Sequence, residues 1–207
     1  MNPENPQVNT DGSDGYTVLK GFRGKLGDYA LSSIHMEDSE CIRKWRNDQI
    51  TALRQKLPLS EKEQAKYFTE IVKPQFSQER PEQILLRFTL GNELIGYGGL
   101  VHLNWDDKRA EVSFLLESER AKDLTLYEGE CKVFMNLLKI CAFTVLGLNK
   151  ISTEAYCHRE FHVSALEAAG FTREGVLRKH VQIDGTWIDS VIASCLKSEY
   201  LEDASAE

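Results

Sequence analysis

Hydrophobic residues recur every three or four positions between residues 133 and 145, which is the spacing of one face of an α-helix. The residues of this stripe are Val133, Phe134, Leu137, Leu138, Cys141, Ala142 and Val145. Gly147 comes next, and glycine often takes the left-handed position just beyond a helix end. The pattern predicts one long amphipathic helix that begins near Tyr127 and ends before Gly147.

In the segment after this helix, the spacing of the apolar residues changes twice. Residues 150–156 alternate apolar and polar side chains, which indicates a short strand. Residues 159–169 return to a helical spacing that ends at Gly170, and Phe171 then starts another extended segment. A helix, a strand, a helix and a strand with short connections predict an α/β arrangement.

Extended segments and two shorter helices account for most of the remaining chain. The predicted strands are residues 29–34, 84–90, 94–103, 111–116, 176–183 and 187–196. Gly91 with Asn92 and Asp184 with Gly185 are tight-turn pairs, so the segments around each pair are expected to form antiparallel hairpins. The first helix is expected to bury Cys41, Ile42 and Trp45. The second opens at the capping-box residues Ser60 and Glu63 and ends near Pro74.

Length and composition set the broad class of the protein. A chain of 207 residues with 42% hydrophobic and 28% charged residues is typical of one globular domain, expected over residues 16–200. Residues 1–15 contain almost no apolar side chains, so this tail is predicted to be disordered, and residues 201–207 form an acidic tail. No apolar run approaches the ~18 residues that span a bilayer, and no targeting pattern begins the chain, so the expected location is the cytoplasm.

Charge and metal-binding residue types narrow the possible partners. The net charge of −7 argues against broad binding to a nucleic-acid backbone, so neither a nucleic acid nor a membrane is expected as a partner. The five cysteines are widely spaced and lack a C-x-x-C pair, which predicts reduced, structural thiols. Only His158 and His162 lie four residues apart, and no carboxylate or thiolate can be placed beside them as a further ligand, so no metal site is predicted.

Two segments carry a resemblance to a known family. AFTVLGLNKI, residues 142–151, and ALEAAGFTREGVLR, residues 165–178, are similar to segments of the GNAT N-acetyltransferase superfamily. The similarity extends over about residues 26–200 and is greatest to acetyltransferases of nucleotide-linked amino sugars and of ribosomal-protein N-termini. It implies an α/β (α+β) fold with a mixed, mostly antiparallel central sheet flanked by helices, and acetyl-CoA as co-substrate of a monomer or homodimer.

The resemblance implies that the start of the long helix holds the coenzyme diphosphate, because helix N-termini bind anions through unpaired N–H groups. Family members carry Arg or Gln, two residues, Gly, one residue, and then Gly or Ala at this point. Only Gly129 agrees here. Glu128 and Glu130 would be unfavourable beside phosphates, and Arg120 and Lys122 are expected to offset them.

Two further coenzyme contacts are implied by the resemblance. The strand before the cationic loop is expected to pair its exposed backbone with the pantetheine arm, while a plain core strand is a compatible alternative. The residues of this segment are Ser113, Phe114, Leu115 and Leu116. Arg159 and His162 begin the second helix, where family members often have Asn and Ser, and a cation there could meet a coenzyme phosphate.

Acetyl transfer to an amine needs a base for the amine. Glu111, at the start of the strand that would lead to the acetyl group, is the first candidate, and a surface ion pair with Arg109 or Lys108 is the structural alternative. His102, at the end of the preceding strand, is the second candidate, because the unperturbed pKa of histidine, ~6.5, suits the task.

The departing thiolate also needs a proton. Many family members supply it from a tyrosine at a position where this chain has Leu166. Tyr156 or His162 is therefore expected to take that role, unless no general acid is required.

The acceptor is expected to contact the N-terminal helices, which form one wall of the acceptor site in the resembled family. The candidate residues are Trp45, Arg46, Asn47, Arg54 and Gln55. Arginines beside a tryptophan suit a phosphate and a flat ring, which favours a nucleotide-linked amino sugar of surface polysaccharide synthesis. A core tryptophan with solvated arginines is the structural alternative. Acetylation of a protein N-terminus and a non-catalytic acyl-CoA-binding module are the other two functional hypotheses.

Overall fold

The computed structural model describes residues 7–9 and 15–206, which contain a nine-stranded sheet and six α-helices. The strands are β1 Gln7–Asn9, β2 Arg23–Leu26, β3 Tyr29–Ser33, β4 Ile84–Leu90, β5 Glu93–Asn104, β6 Arg109–Leu116, β7 Lys150–Tyr156, β8 Thr172–Ile183 and β9 Thr186–Leu196. The helices are α1 Ser39–Asp48, α2 Glu61–Tyr67, α3 Lys73–Gln75, α4 Leu124–Lys139, α5 Glu160–Ala168 and α6 Lys197–Ala206. A π-helical turn at Phe68–Val72 joins α2 to α3, and another at Ile140–Val145 extends α4.

The sheet is antiparallel except at its centre. The strand order is β1-β2-β3-β4-β5-β6-β7-β9-β8, and β6 runs parallel to β7. That pair has three residue matches, from Arg109 with Lys150 to Glu111 with Ser152, after which the two strands no longer pair. The mixed, mostly antiparallel α/β fold is therefore confirmed, and its one parallel pair opens in the middle of the sheet.

Helices cover both faces of the sheet. Successive residues of a strand point to opposite faces. The Tyr97 hydroxyl accepts a hydrogen bond from Arg46 of α1, whereas a Cβ added to Gly98 would lie 2.8 Å from Phe134 of α4. The Phe134 ring also packs on Phe114 of β6, with 4.6 Å between centroids. The α4 face thus forms the apolar core, and α1 covers the opposite face.

Several element boundaries follow the sequence pattern closely. The predicted strand 150–156 is β7, and the two predicted hairpins form as β4 with β5 and β8 with β9. The long helical segment ends before Gly147, which has a φ of +67°. Its start was misplaced: α4 begins at Leu124, because the Asp123 carboxylate accepts hydrogen bonds from the N–H groups of Thr125 and Leu126, both at 3.0 Å.

One expectation about the N-terminal helices is wrong. Cys41 is exposed, whereas Ile42 and Trp45 form the inner face of α1 as predicted. The helical chain ends at Gln75, next to Pro74 as predicted, and the proline lies in the first turn of α3, where its missing N–H is not needed. The predicted capping box of α2 is confirmed.

Parts of both expected tails lie within the described residues, at 7–9 and 201–206. Residues 1–6 and 10–14 of the predicted disordered tail lie outside the described residues, but residues 7–9 form β1 and pair with β2. Residues 201–206 continue helix α6. Among the described helices, none is long and apolar enough to cross a membrane.

Candidate active site

Glu111 lies at the point where β6 and β7 stop pairing. It is matched with Val101 of β5 and Ser152 of β7, and it is the last residue of β6 matched with β7. Because side chains alternate along a strand, Glu154 points to the same face as Ser152 and Glu111. This is the face that α1 covers. Two carboxylates from neighbouring strands therefore meet where the sheet begins to open.

Arg54 joins these two carboxylates. Its Nη2 atom lies 2.7 Å from Glu111 Oε1 and 2.7 Å from Glu154 Oε2. The side chain of Glu154 is 12% exposed, that of Glu111 24% and that of Arg54 48%. The structure therefore brings the predicted base and one predicted acceptor residue into direct contact.

The partner of Glu111 is not one that the sequence suggested. Arg109 pairs instead with Asp107, at 3.6 Å, and the bridge to Arg54 involves Glu154, which the sequence analysis missed. A signal for Glu154 was present, since the alternation of residues 150–156 places it on the polar face of a buried strand. The alternation could not indicate that the polar face of β7 lies next to Glu111 of β6.

Tyr156 lies close to the carboxylate pair, and His102 does not join it. Tyr156 ends β7 on the same face as Glu154, is 7% exposed and stacks on His158 with 5.8 Å between ring centroids. Burial raises the pKa of Tyr156, so the hydroxyl is protonated at neutral pH. His102 is exposed in a bulge of β5 with a φ of +51°, and no hydrogen bond or ion pair of the described residues links it to Glu111.

The other predicted acceptor residues are engaged with one another. Trp45 is 8% exposed and belongs to the hydrophobic core. Arg46 donates hydrogen bonds to the Tyr97 hydroxyl at 2.8 Å and to Gln55 Oε1 at 3.0 Å. Gln55 in turn donates to Asn47 Oδ1 at 2.9 Å. These contacts organise the connection between α1 and α2 and support the structural alternative for Trp45.

A cavity of about 300 Å³ lies between the N-terminal helices and the sheet. Its walls are mostly apolar and include Tyr67 and Tyr97. Val101, the matched neighbour of Glu111, and Ser113, two residues further along β6, also line it. The cavity therefore adjoins the predicted base and offers room for the body of a small acceptor.

The four predicted pantetheine residues lie in different surroundings. Beyond Glu111, β6 pairs with no described strand on the β7 side, which leaves backbone groups there for a ligand. Ser113 lines the cavity, Phe114 packs in the core below it, and Leu115 and Leu116 are buried. The segment is thus a core strand with one unpaired edge, and its contact with a pantetheine arm stays a prediction.

The first turn of α4 does not present the predicted anion cradle. The Asp123 carboxylate already accepts hydrogen bonds from two of its N–H groups, those of Thr125 and Leu126. Gly129, the predicted cradle residue, lies in the second turn, and a Cβ added there would meet nothing within 4 Å. A diphosphate that bound the N–H groups of Thr125 and Leu126 would have to displace the Asp123 carboxylate.

The cations expected to offset the acidic residues of this turn are bound within the protein. Arg120 pairs with Glu130, whose carboxylate is buried, and Arg120 Nε lies 2.9 Å from Glu130 Oε2. The Tyr29 hydroxyl also donates to Glu130, at 3.3 Å. Lys122 pairs with Glu119 at 2.6 Å. Glu130 therefore anchors the start of α4 in this structure.

Arg159 and His162 both contact Tyr127 of α4. The Tyr127 hydroxyl lies 2.7 Å from His162 Nδ1, and Arg159 Nη2 lies 3.5 Å from the same hydroxyl. Burial, followed by the positive charge of Arg159, lowers the pKa of His162 to about 3, so the ring is neutral at neutral pH. Burial raises the pKa of Tyr127 and keeps its hydroxyl protonated.

Acetyl-CoA fits part of this arrangement. The unpaired edge of β6 beyond Glu111 suits an amide-bearing arm, and Arg159, which has no carboxylate partner among the described residues, suits a phosphate. In the first turn of α4, Asp123 already accepts from two N–H groups, and Arg120 and Lys122 are paired with carboxylates. Within residues 7–9 and 15–206, no group of three or more His, Cys, Asp and Glu side chains is placed to hold a metal ion.

Comparison with known sequences gives the family. A family model described as the acetyltransferase (GNAT) domain matches residues 31–192. The uncharacterized N-acetyltransferase p20 of Bacillus licheniformis is 22% identical over 171 residues, which cover 82% of this chain and 93% of that protein. The uncharacterized N-acetyltransferase YoaA of Bacillus subtilis is 29% identical over 105 residues, covering 51% of this chain and 56% of that protein.

Solved structures share the fold. The spermidine N-acetyltransferase from Vibrio cholerae in complex with CoA and spermine gives a TM-score of 0.73 at 21% identity, covering 84% of this chain and 98% of that chain. A dodecameric structure of spermidine N-acetyltransferase from the same organism gives 0.71 at 21% identity, covering 85% and 98%. Because the family model spans residues 31–192, this chain belongs to the GNAT acetyltransferase family and is an acetyl-CoA-dependent N-acetyltransferase.

Proposed function

We propose that the protein acetylates a small primary amine that enters the cleft as an ammonium ion. The observation that carries the proposal is the pair of carboxylates, Glu111 and Glu154, where β6 separates from β7. A carboxylate within ~4–6 Å of a cation favours the charged forms of both groups. The pair therefore suits the protonated form in which most alkylamines arrive.

Glu111 is the proposed base, and Tyr156 is the proposed acid. The ammonium loses one proton to Glu111, directly or through a water molecule, and becomes nucleophilic. Acetyl-CoA supplies the acetyl group as a thioester, whose C–S bond breaks as the C–N bond to the acceptor forms. Tyr156 gives its proton to the departing sulfur and is restored by the second amine proton. The proton on Glu111 passes to solvent.

The acceptor wall favours a small cationic amine over a nucleotide-linked amino sugar. The sequence predicts the sugar because Trp45, Arg46 and Arg54 suit a base and a diphosphate. Here Trp45 lies in the core and both arginines bind groups of the protein. The similar structure from Vibrio cholerae is named a spermidine N-acetyltransferase, and spermidine is a polycationic amine. Both observations support a cationic acceptor.

The proposal is tested by measuring release of free thiol from acetyl-CoA with a panel of acceptors. The panel contains spermidine, butylamine, a peptide with a free N-terminus and a nucleotide-linked amino sugar. We expect the alkylamines to give the highest kcat/KM. Faster turnover of the sugar or the peptide would replace the acceptor proposed here. Binding of acetyl-CoA without thiol release for any acceptor would favour a non-catalytic module.

A further inference from the structure

Arg54 belongs to neither of the strands that carry its two partners. It lies in the connection between α1 and α2 and reaches Glu111 on β6 and Glu154 on β7. A single atom, Nη2, makes both contacts at 2.7 Å. The guanidinium is therefore bound through one nitrogen that bridges two carboxylates, which is how an ammonium nitrogen would bind there.

The two carboxylates require a cation between them. Their like charges repel each other, and a cation between them offsets that repulsion. Glu154 Oε1 is also buried and accepts no hydrogen bond within the part of the chain that is described, with His180 Nε2 3.6 Å away. An ammonium group has three N–H donors, so it can bridge the same two carboxylates and still donate to this oxygen. Arg54 leaves that acceptor unused.

The segment that carries Arg54 is held by its neighbours, since Gln55 contacts Arg46 and Asn47 and Leu53 packs against the core, so only the Arg54 side chain needs to move. Lys56 Nζ donates to the Gln182 carbonyl at 3.1 Å, and Arg159 Nη1 lies 3.4 Å from the Ala52 carbonyl. The Arg54 side chain itself is 48% exposed. Its guanidinium can therefore leave the carboxylates for solvent without removing a side chain from the hydrophobic core.

We propose that Arg54 occupies the ammonium site of the acceptor and is displaced when the acceptor binds. This inference rests on the proposed function and specifies its substrate class. The acceptor is a cationic alkylamine without a carboxylate next to its nitrogen, because such an anion would lie against Glu111 and Glu154. Arg54 also covers the base in the free protein, so Glu111 becomes available only when a competing cation arrives.

The first test compares Arg54→Ala with Arg54→Lys, which keeps a cation at this position. When a site is open for only a fraction of the time, the apparent affinity of its ligand falls by that fraction. If Arg54 occupies the site about nine-tenths of the time, its removal strengthens amine binding about tenfold. We expect Arg54→Ala to lower the KM for butylamine by about this factor. Arg54→Lys is expected to stay close to the wild type, and the KM for acetyl-CoA is the internal reference.

The second test concerns the class of acceptor. Norvaline is butylamine with a carboxylate on the carbon next to the nitrogen, so the two compounds are matched probes. We expect butylamine to be acetylated and norvaline to be rejected by both the wild type and Arg54→Ala. If norvaline were accepted as well as butylamine, the proposed substrate class would be wrong.

The outcomes separate this inference from the proposed function. An unchanged or raised KM for butylamine in folded Arg54→Ala overturns the displacement, even if the wild type acetylates amines. If no amine is acetylated, the proposed function fails, and calorimetry with butylammonium still tests the displacement, which requires tighter binding to Arg54→Ala. Should that variant not fold, Glu154→Gln is the second test. If this change weakens butylammonium binding about tenfold or more, the inference is supported. If binding is unchanged, the inference is overturned.

Discussion

Glu111 is the residue on which the proposed chemistry depends most directly. Glu111→Gln keeps the size of the side chain and an oxygen for Arg54 but removes the basic carboxylate. We expect kcat/KM for an amine to fall by ~10²-fold or more, the usual scale for a positioned base. Acetyl-CoA binding, measured by calorimetry, is expected to stay near the wild-type value.

His102 supplies the matched control for this prediction. It is exposed in the bulge of β5 at a φ of +51°, so asparagine, which tolerates that conformation, is the appropriate replacement. His102→Asn is expected to retain turnover close to that of the wild type. If Glu111→Gln kept its activity from about pH 6 to about pH 9 while His102→Asn lost it, His102 would be the base.

His162 makes folding stability depend on pH. Its pKa is about 3 in the folded protein, below the value of ~6.5 expected for an unfolded chain. The unfolded state therefore binds the proton first, and stability is lost as the pH falls below ~6.5 towards the folded pKa. The slope from this one residue is at most ~1.4 kcal/mol per pH unit. Urea unfolding at a series of pH values measures it.

An asparagine at position 162 removes the titration but keeps an acceptor for Tyr127. We expect His162→Asn to be less stable than the wild type at neutral pH and to lose the slope described above. His158→Asn, a change at an exposed position, is the control and should keep the slope. A slope that persisted in His162→Asn would assign the pH dependence to other groups.

At the scale of elements, two glycines differ in the space around them: Gly98 is closely packed, and Gly129 is not. A Cβ at Gly98 of β5 would lie 2.1 Å from the Ser113 carbonyl oxygen of β6, whereas one at Gly129 of α4 would meet nothing within 4 Å. Gly98→Ala is expected to destabilise the sheet by ~1–3 kcal/mol or more, the scale of overpacking. Gly129→Ala is expected to stabilise the helix by ~0.5–1 kcal/mol.

Urea unfolding of the two variants checks these changes, and coenzyme affinity adds a second measurement. If the first turn of α4 stays closed by Asp123, Gly129→Ala leaves acetyl-CoA affinity close to the wild-type value. A large loss of affinity would show that the coenzyme approaches Gly129, as the family pattern implies. A destabilising Gly129→Ala would contradict the open space around this position.

At the scale of the whole molecule, the net charge of −7 affects the two substrates in opposite ways. It attracts a cationic amine and repels the anionic coenzyme, and salt screens both effects with a Debye length near ~10 Å at ~0.1 M. We expect the KM for butylamine to rise and the KM for acetyl-CoA to fall as salt increases. Steady-state kinetics over a salt series measures both, and an amine KM that fell with salt would contradict a cationic acceptor.

The sequence alone was sufficient for the features that depend on near neighbours. The strand 150–156, the two hairpins and the helix end before Gly147 each follow from periodicity or turn residues within a few positions. Their arrangement in a mixed sheet came from the resemblance, since local patterns do not specify which strands pair. Glu111 was chosen as the candidate base from its position in a predicted strand, and that role stays a prediction.

Only the tertiary structure decided the composition of the site. Arg54 and Glu154 are 100 residues apart in the chain, and they meet because β6 and β7 pair in one register and the α1–α2 connection crosses them. The ion pair between Arg120 and Glu130 could not be predicted from the sequence either, because it depends on how α4 packs. Periodicity indicates which face of an element a side chain occupies. Which charged side chains form an ion pair depends on how distant segments pack in the tertiary structure.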